Sequence, residues 1–329
     1  MNFTPHAKPQ VALNVVRAID QAIELDGGKL YKQLLRKYVA EAEDAYKVDP
    51  SPFRKHLGAS EIGEKCHRLL WYKFHWAARE YIPPRLTLLL NRGHLEEARF
   101  LALMEMIGYL VRSKDSSGKQ YKLSACGGMF GGSCDGLFSL PGLLDSYVSE
   151  FKTHCRSSFE DLAGPLKEWR AFKDGIAGAH FTGKGVRASK VKHYAQSQTY
   201  IAGFNAAGGL YLAVCKDTDD LYAEWIPPDQ GVAASCMAVA ASVVGSAVPP
   251  PKINENPGWF ECRFCIAKGI CHNGRAPERN CRTCRHGKPA QDGMWWCFLP
   301  INDAPYTRNE AQQLTGCAEH SYIVEIAPK

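Results

Sequence analysis

Several things are missing from this 329-residue chain, and each absence narrows the reading. No run of residues is built like a membrane span. The uncharged stretch Gly231 to Val248 reaches the right length, but it holds no Leu, Ile or Phe and stops at Pro249-Pro250-Pro251, which predicts a buried helix. Met1 to Gln10 carries no apolar segment of the exported kind, so the chain is expected in the cytoplasm with its cysteines reduced. There is no internal repeat and no low-complexity run. A Gly-rich loop of the dinucleotide-binding type is also lacking, which argues against a redox enzyme using such a cofactor. Neither sign of charge dominates: 40 Lys and Arg face 34 Asp and Glu, a net +6 that permits an anionic partner without demanding one. Hydrophobic residues at 45% and charged residues at 22% exclude global disorder, and the length suits two domains or one large α/β domain with appendages.

What is present is cysteine. Thirteen are spread thinly through the middle and crowd after Glu261 in C-x2-C pairs. In a reducing compartment that pattern favours metal ligation over disulfides. The same region is basic, with eight Lys/Arg against three Asp/Glu between Pro251 and Ala290.

Residues 11–47 show helical periodicity through Val15, Val16, Ile19, Ile23, Leu30, Leu34, Leu35 and Tyr38, broken at Asp26-Gly27-Gly28. A helix is expected from Ser60 into Trp71-Tyr72, and another from about Leu86 to Ile107. One strand is expected over Gly131–Phe138 and its partner over Tyr147–Thr153. A helix over Val191 to Ala206 follows, then strands at Leu210–Cys215 and Leu221–Ile226. These divide the chain into an N-terminal helical region (1–50), a core (51–248), a closure segment (249–275) and a Cys-rich tail (276–329).

On a strand, residues i and i+2 share a face, so Glu150 and Lys152 point the same way while Phe151 points into the core. A carboxylate beside an ammonium suits phosphoryl chemistry: the acid holds Mg²⁺, while the lysine positions or activates a water and offsets developing charge. Asp135 on the neighbouring strand would supply a second hard oxygen ligand. Glu-x-Lys alone is common; its ordered company is not. Gly93-His94-Leu95-Glu96-Glu97 opens a helix upstream, and Gln196-x3-Tyr200 follows on a helix downstream.

This ordered set resembles the PD-(D/E)XK nuclease superfamily in its RecB-like branch, with Cys134 where a proline precedes the aspartate. The resemblance implies a restriction-endonuclease-like α/β core, a central mixed sheet flanked by helices. It also implies Mg²⁺ or Mn²⁺ held by Asp135 and Glu150, with the Phe151 carbonyl as a further oxygen. Lys152 would be catalytic, and Gln196 and Tyr200 would contact a DNA end or orient the lysine. His94 or Glu97 would be the remaining metal-side residue; Glu96 is expected to face solvent.

Cys262, Cys265 and Cys271 form C-x2-C-x5-C, one short of a closed site, and Cys66 is the candidate fourth. Spacing allows zinc or an iron–sulfur cluster equally. The split arrangement, with Ser60-x5-Cys66-x-Arg68, resembles the iron–sulfur RecB-like nucleases of CRISPR adaptation and of phages, which implies a structural [4Fe–4S] cluster closing the two ends of the core. His272 is an outside candidate. Cys281, Cys284 and Cys297, with Cys317 or His320, read as a small structural Zn²⁺ site, since so short a segment needs a metal to hold it. Trp295, Trp296 and Phe298 are expected around it, one tryptophan being free to stack on a base. Arg275, Arg279, Arg282, Arg285 and Lys288 are candidate phosphate contacts. Cys126, Cys134, Cys155, Cys215 and Cys236 are expected as buried fillers. The expected activity is a DNA exonuclease of bacterial or phage origin, with a recombination or annealing protein as a candidate partner. The competing class is a catalytically silent DNA-binding or regulatory protein with the same fold and metals.

Overall fold

Apolar spacing in the first forty residues produces two helices hinged at the predicted break. A computed structural model describes residues 8–40, 42, 45, 46, 51–300 and 304–328. The expectation for Met1–Gln10 therefore falls outside the described residues up to residue 7, as does most of the 41–50 end of the N-terminal region. After strand β1 (Gln10–Val11), helix α1 (Leu13–Asp26) buries Val15, Val16 and Ile19. It ends at Gly27, whose φ of 67° places it in the left-handed region that favours glycine. Asp26 then starts α2 (Lys29–Ala40) by accepting the N–H groups of Gly28, Lys29 and Leu30 at 2.7, 3.0 and 2.8 Å.

Strand β2 (Leu57–Gly58) leads to a single 3-10 turn at Ala59–Glu61, and the next helix, α3 (His67–Phe74), starts only after Cys66. The helix expected from Ser60 is thus delayed, and the chain between is held by packing: a Cβ on Gly63 would lie 2.7 Å from the Lys192 backbone. Helix α4 (Pro84–Met106) has proline at its first turn and buries only its second half. Short strands β3 (Leu110–Arg112), β4 (Lys122–Ala125), β5 (Phe130–Ser133) and β6 (Gly136–Ser139) follow. The strand expected over 131–138 is two strands, because β5 joins a small sheet with β4 and β2 while β6 belongs to the main one.

The long strand β7 (Tyr147–His154) is followed by helices α5 (Arg156–Ala163), α6 (Leu166–Lys173), α7 (Gly185–Ser189) and α8 (Val191–Gly203). These form the crossover that lets β8 (Gly208–Cys215) pair parallel to β7, Glu150 opposite Tyr211. Strand β9 (Leu221–Ile226) returns antiparallel. The main sheet has the order β1-β9-β8-β7-β6-β3 and is mixed. Phe151 stacks on Phe100 of α4, ring centres 4.9 Å apart. Helix α8 is buried continuously from Tyr194 to Ile201. Helix α9 (Gln230–Gly245), the Ala-rich stretch, packs on α8 and α3. Among the described residues no helix is long and apolar enough to cross a membrane.

The C-terminal part holds helices α10 (Phe260–Arg263) and α11 (Lys268–Asn273), a three-stranded antiparallel sheet of β10 (Gly287–Pro289), β11 (Trp295–Cys297) and β12 (Tyr306–Arg308), and helix α12 (Glu310–Thr315). It does not stand apart: Trp295, Ile323 and Ile326 join the main hydrophobic core. Its anchor is Arg282, expected as a phosphate contact but wholly buried. Its guanidinium donates to the carbonyls of Phe74, Lys55 and Gly293 at 3.0, 2.9 and 3.3 Å and to Gln313 Oε1 at 2.8 Å, and it stacks 3.7 Å from the Trp76 ring centre.

Candidate active site

The interruption between β5 and β6 places Asp135 against the middle of β7, where its Oδ2 accepts the Phe151 N–H at 2.7 Å. Cys134, in the position before it, is fully buried and donates its thiol to the Gly136 carbonyl at 3.2 Å. Glu150 is 1% exposed. Its Oε1 is bonded to the Lys152 ammonium, which also donates to the Phe151 carbonyl at 3.0 Å. The other oxygen, Oε2, is buried with no partner. Burial pushes the Asp135 carboxyl well above its ordinary range, and the nearby Glu150 charge adds to the rise. Burial also raises Glu150, against the pull of Lys152. At Lys152 burial acts downward, yet the charges of Glu150 and Asp135 outweigh it and hold the amine protonated. That favours positioning and charge stabilisation over proton abstraction as the lysine's role.

The charge of Glu97, one of the two upstream candidates, acts on Asp135, Glu150 and Lys152. His94 lies one turn away with Nδ1 3.4 Å from Glu97 Oε1. Glu96 does not face solvent. It shares a helical face with Phe100 and Leu103, is 7% exposed, and pairs with Arg99 at 2.8 Å. On α8, Gln196 and Tyr200 are both buried. The Tyr200 hydroxyl donates to the Ser133 carbonyl at 2.7 Å, two residues before Asp135. This contact needs Gly132, since a Cβ there would fall 2.5 Å from the same oxygen. Tyr200 thereby ties the segment that leads to Asp135 to helix α8.

His94, Glu97 and Asp135 line a groove of about 610 Å³ together with Lys114, Lys119 and Lys122. Tyr38 and Ala40 of α2 close one side. Carboxylates and ammonium groups lining one groove can hold a cation and a phosphate side by side.

The two cysteine sets each converge. Cys66, Cys262, Cys265 and Cys271 line one cavity of about 490 Å³, with Lys65, Arg68, Lys192, Lys252 and Lys268 around it. Burial raises the Cys66 thiol, and the Cys265 and Cys271 charges add to it. His272 lines the same cavity. Cys281, Cys284, Cys297 and Cys317 line a much smaller hollow with His286 and His320. Burial pushes Cys281 up to about 11. Even so, among the described residues no group of three or more His, Cys, Asp or Glu is arranged to hold a metal ion as it stands. Trp295 packs away from the hollow, tilted 5.7 Å from the Phe74 ring, while Trp296 and Phe298 are exposed. Of the thiols expected as fillers, Cys134, Cys215 and Cys236 are buried, Cys126 is half-buried and Cys155 is exposed. Cys155 departs because it precedes the first turn of α5 at the sheet's end, where nothing covers it.

Sequence reasoning missed His154, Tyr211 and His193. The Tyr211 hydroxyl lies 2.9 Å from His154 Nε2 and 2.8 Å from His193 Nδ1. Burial depresses both imidazoles, His154 to about 4 and His193 to about 2, so both are neutral. The position of His154, two residues after Lys152 on the same strand face, was a readable signal. The other two come from distant segments.

No family model matches the chain, and no curated protein matches it. Three solved structures are similar in part. The crystal structure of SSO0001 shares 18% identity over 73% of this chain and 94% of its own, at a TM-score of 0.31. The alkaline exonuclease LHK-Exo from Laribacter hongkongensis shares 16% over 57% of this chain and 86% of its own, at 0.34. The same exonuclease in complex with dAMP gives 14% over the same shares, at 0.34. Likeness this loose carries no argument about the chemistry of this chain.

Proposed function

We propose that the chain is a Mg²⁺- or Mn²⁺-dependent DNA nuclease of the PD-(D/E)XK class that works from DNA ends. The observation that carries the reading is Glu150 Oε2, a buried carboxylate oxygen with no partner, on the strand face it shares with Lys152 and near Asp135, which itself lines a groove together with Lys114, Lys119 and Lys122. An unpaired buried carboxylate oxygen is costly unless a cation completes it. Mg²⁺ binds through one or two carboxylates plus water and substrate phosphates, so two acids and the Phe151 carbonyl are a fitting donor set. Bound there, the ion would polarise a phosphate and lower the pKa of a water. Asp135 and Glu150 would hold it; Glu97 would add negative charge from α4; Lys152 would orient the attacking water and offset charge on the phosphate; Tyr200 would keep Asp135 in place through the Ser133 carbonyl. Lys114, Lys119 and Lys122 line the path of the backbone. The silent-binder alternative has nothing of its own to explain a buried carboxylate oxygen left without a partner.

The test is digestion of end-labelled linear and circular DNA with and without Mg²⁺ or Mn²⁺. Loss of label from linear DNA only, and only with metal, is the expected result; metal-independent or absent cleavage defeats the reading.

Metal binding should also depend on pH. Asp135 and Glu150 titrate above the usual carboxylate range, so protons compete with the ion as pH falls through those raised values. Mn²⁺ affinity measured calorimetrically should rise with pH, by up to about tenfold per unit for each proton displaced. A flat profile from pH 5 to 8 would contradict it.

The thiol sets extend the reading. Cys66, Cys262, Cys265 and Cys271 suit a [4Fe–4S] cluster, whose negative charge the surrounding lysines would offset. Cys281, Cys284 and Cys297 with Cys317 suit Zn²⁺, His320 being held at 3.3 Å by Thr283. Anaerobically purified protein should be brown and carry iron plus about one zinc per chain. Cys66→Ser should lose the iron and keep the zinc; normal iron content in that variant would remove Cys66 as a ligand.

A further inference from the structure

Helix α10 and the residues flanking it present aromatic rings to solvent, and helix geometry enforces the display. Residues two apart on a helix point about 200° apart, so burying Cys262 turns Phe260 and Phe264 outward. Phe260 is 65% exposed and Phe264 83%. Trp259, 44% exposed, has its ring centre 5.4 Å from that of Phe260. A single exposed apolar side chain is ordinary on a protein surface, but three rings within six residues are a patch.

Cations accompany the rings. The Arg263 guanidinium lies 5.2 Å from the Phe264 ring centre, and Lys65 Nζ lies 5.9 Å from that of Phe260. Lys65 also lines the adjoining cavity of about 490 Å³, together with Arg68, Lys190, Lys192, Lys252 and Lys268, against the acids Glu64 and Glu261. Glu261 holds Lys65 and Glu64 holds Lys192. The lining still keeps a basic surplus, and Arg68 and Lys268 have no carboxylate partner among the described residues. That surplus favours a polyanion. An apolar protein face laid on the rings would strip water from Arg263 and Lys65 and return nothing. An unpaired strand supplies both halves at once, flat bases for the rings and phosphates for the cations. A duplex does not, because its bases are stacked on one another.

We propose that Trp259, Phe260 and Phe264, with Arg263 and the basic cavity beside them, form a docking surface for single-stranded nucleic acid. It is separate from the groove at Asp135, since the two linings share no residue. Bases stack on the rings while the backbone follows the cations into the cavity. The surface needs neither a divalent ion nor a metal on the thiols, so it stands apart from the nuclease reading. In a nuclease it would keep hold of an unpaired strand between cuts.

The experiment follows the fluorescence anisotropy of a labelled oligothymidylate of about 20 nucleotides, and of a duplex of equal length, with full-length protein and no added divalent ion. Wild type should prefer the single strand. Phe260→Ala and Phe264→Ala should each weaken single-strand binding about 5-fold or more, the scale of one lost base–ring stack, and leave duplex binding unchanged. Phe264→Trp should bind at least as well as wild type. Phe264→Leu, apolar but without a π-face, should behave like the alanine variant. Lys268→Gln should flatten the dependence of log Kd on log salt by about 0.7. Single-strand affinity unchanged in both alanine variants, or an unchanged slope in Lys268→Gln, overturns the proposal. Full retention of binding by Phe264→Leu also overturns it and gives the patch to a protein partner. Equal weakening of single-strand and duplex binding by the alanine variants overturns it as well, since that marks a general disturbance. If Phe260→Ala fails to fold, the Phe264 series, at the more exposed position, carries the same comparison. Selective single-strand binding through the rings with no cleavage in Mg²⁺ or Mn²⁺ defeats the nuclease reading and leaves this surface standing. Metal-dependent cleavage with single-strand binding indifferent to the rings defeats this surface alone.

Discussion

Lys152→Ala protein should leave end-labelled DNA intact under conditions where wild type degrades it, with a rate reduced about 10³-fold. The expectation follows from where the charge lies. Lys152 is a half-buried cation on which the charges of both Glu150 and Asp135 act. Removing it takes away the charge that offsets the phosphate and also leaves Glu150 unpaired. The second effect could loosen the site, so Lys152→Met, which keeps the stem without the charge, separates the two. Both variants should fold as wild type by circular dichroism. Mn²⁺ binding should survive in each, even tighten, because a competing cation has gone. Wild-type cleavage by either variant would remove Lys152 from the chemistry, and with it the enzyme reading.

Arg282→Lys should destabilise the chain by about 3–5 kcal/mol, the scale for breaking a buried charged group from its partners. The substitution keeps the charge and is conservative by formula, but not here. The guanidinium reaches three backbone carbonyls and Gln313 at once from one plane and lies flat on Trp76. A lysine has three donors on a single point and no flat face, so at least one carbonyl would be stranded and the stack lost. The carbonyls belong to segments far apart: Phe74 ends α3, Lys55 precedes β2 and Gly293 precedes β11. The tail should therefore detach first, seen as new proteolytic cleavage between 276 and 329 before global unfolding. Lys288→Ala, on an exposed residue of the same basic stretch, should change stability by less than about 0.5 kcal/mol and serves as the control. Equal midpoints of denaturant unfolding for Arg282→Lys and wild type would show that the anchor lies elsewhere.

These two residues mark the two kinds of legibility. Glu150 and Lys152 were readable as a pair because strand geometry alone sets i and i+2 on one face, whatever packs nearby. Arg282 was not, since nothing in Cys-Arg-Thr-Cys distinguishes a guanidinium in solvent from one that three distant carbonyls enclose. Glu96 and Glu97 make the same point on one helix turn. Periodicity says they point about 100° apart, but which of them meets the core depends on how α4 rolls against β7.

By itself the sequence determined the elements that rest on local periodicity and chain stereochemistry. These are the hinge at Asp26-Gly27-Gly28, the pairing of β8 with β9 across Asp217–Asp220, the Ala-rich α9, the shared face of Glu150 and Lys152, and the C-x2-C pairs. Tertiary structure alone decided the break between β5 and β6 that delivers Asp135 to the Phe151 N–H. It also decided the burial of Glu96 and Arg282, and the meeting of His154 and His193 at Tyr211. The physical reason is common to all of them. A hydrogen-bond partner or a covering layer that arrives from dozens of residues away changes the solvation of a polar side chain without leaving any mark on its neighbours in sequence.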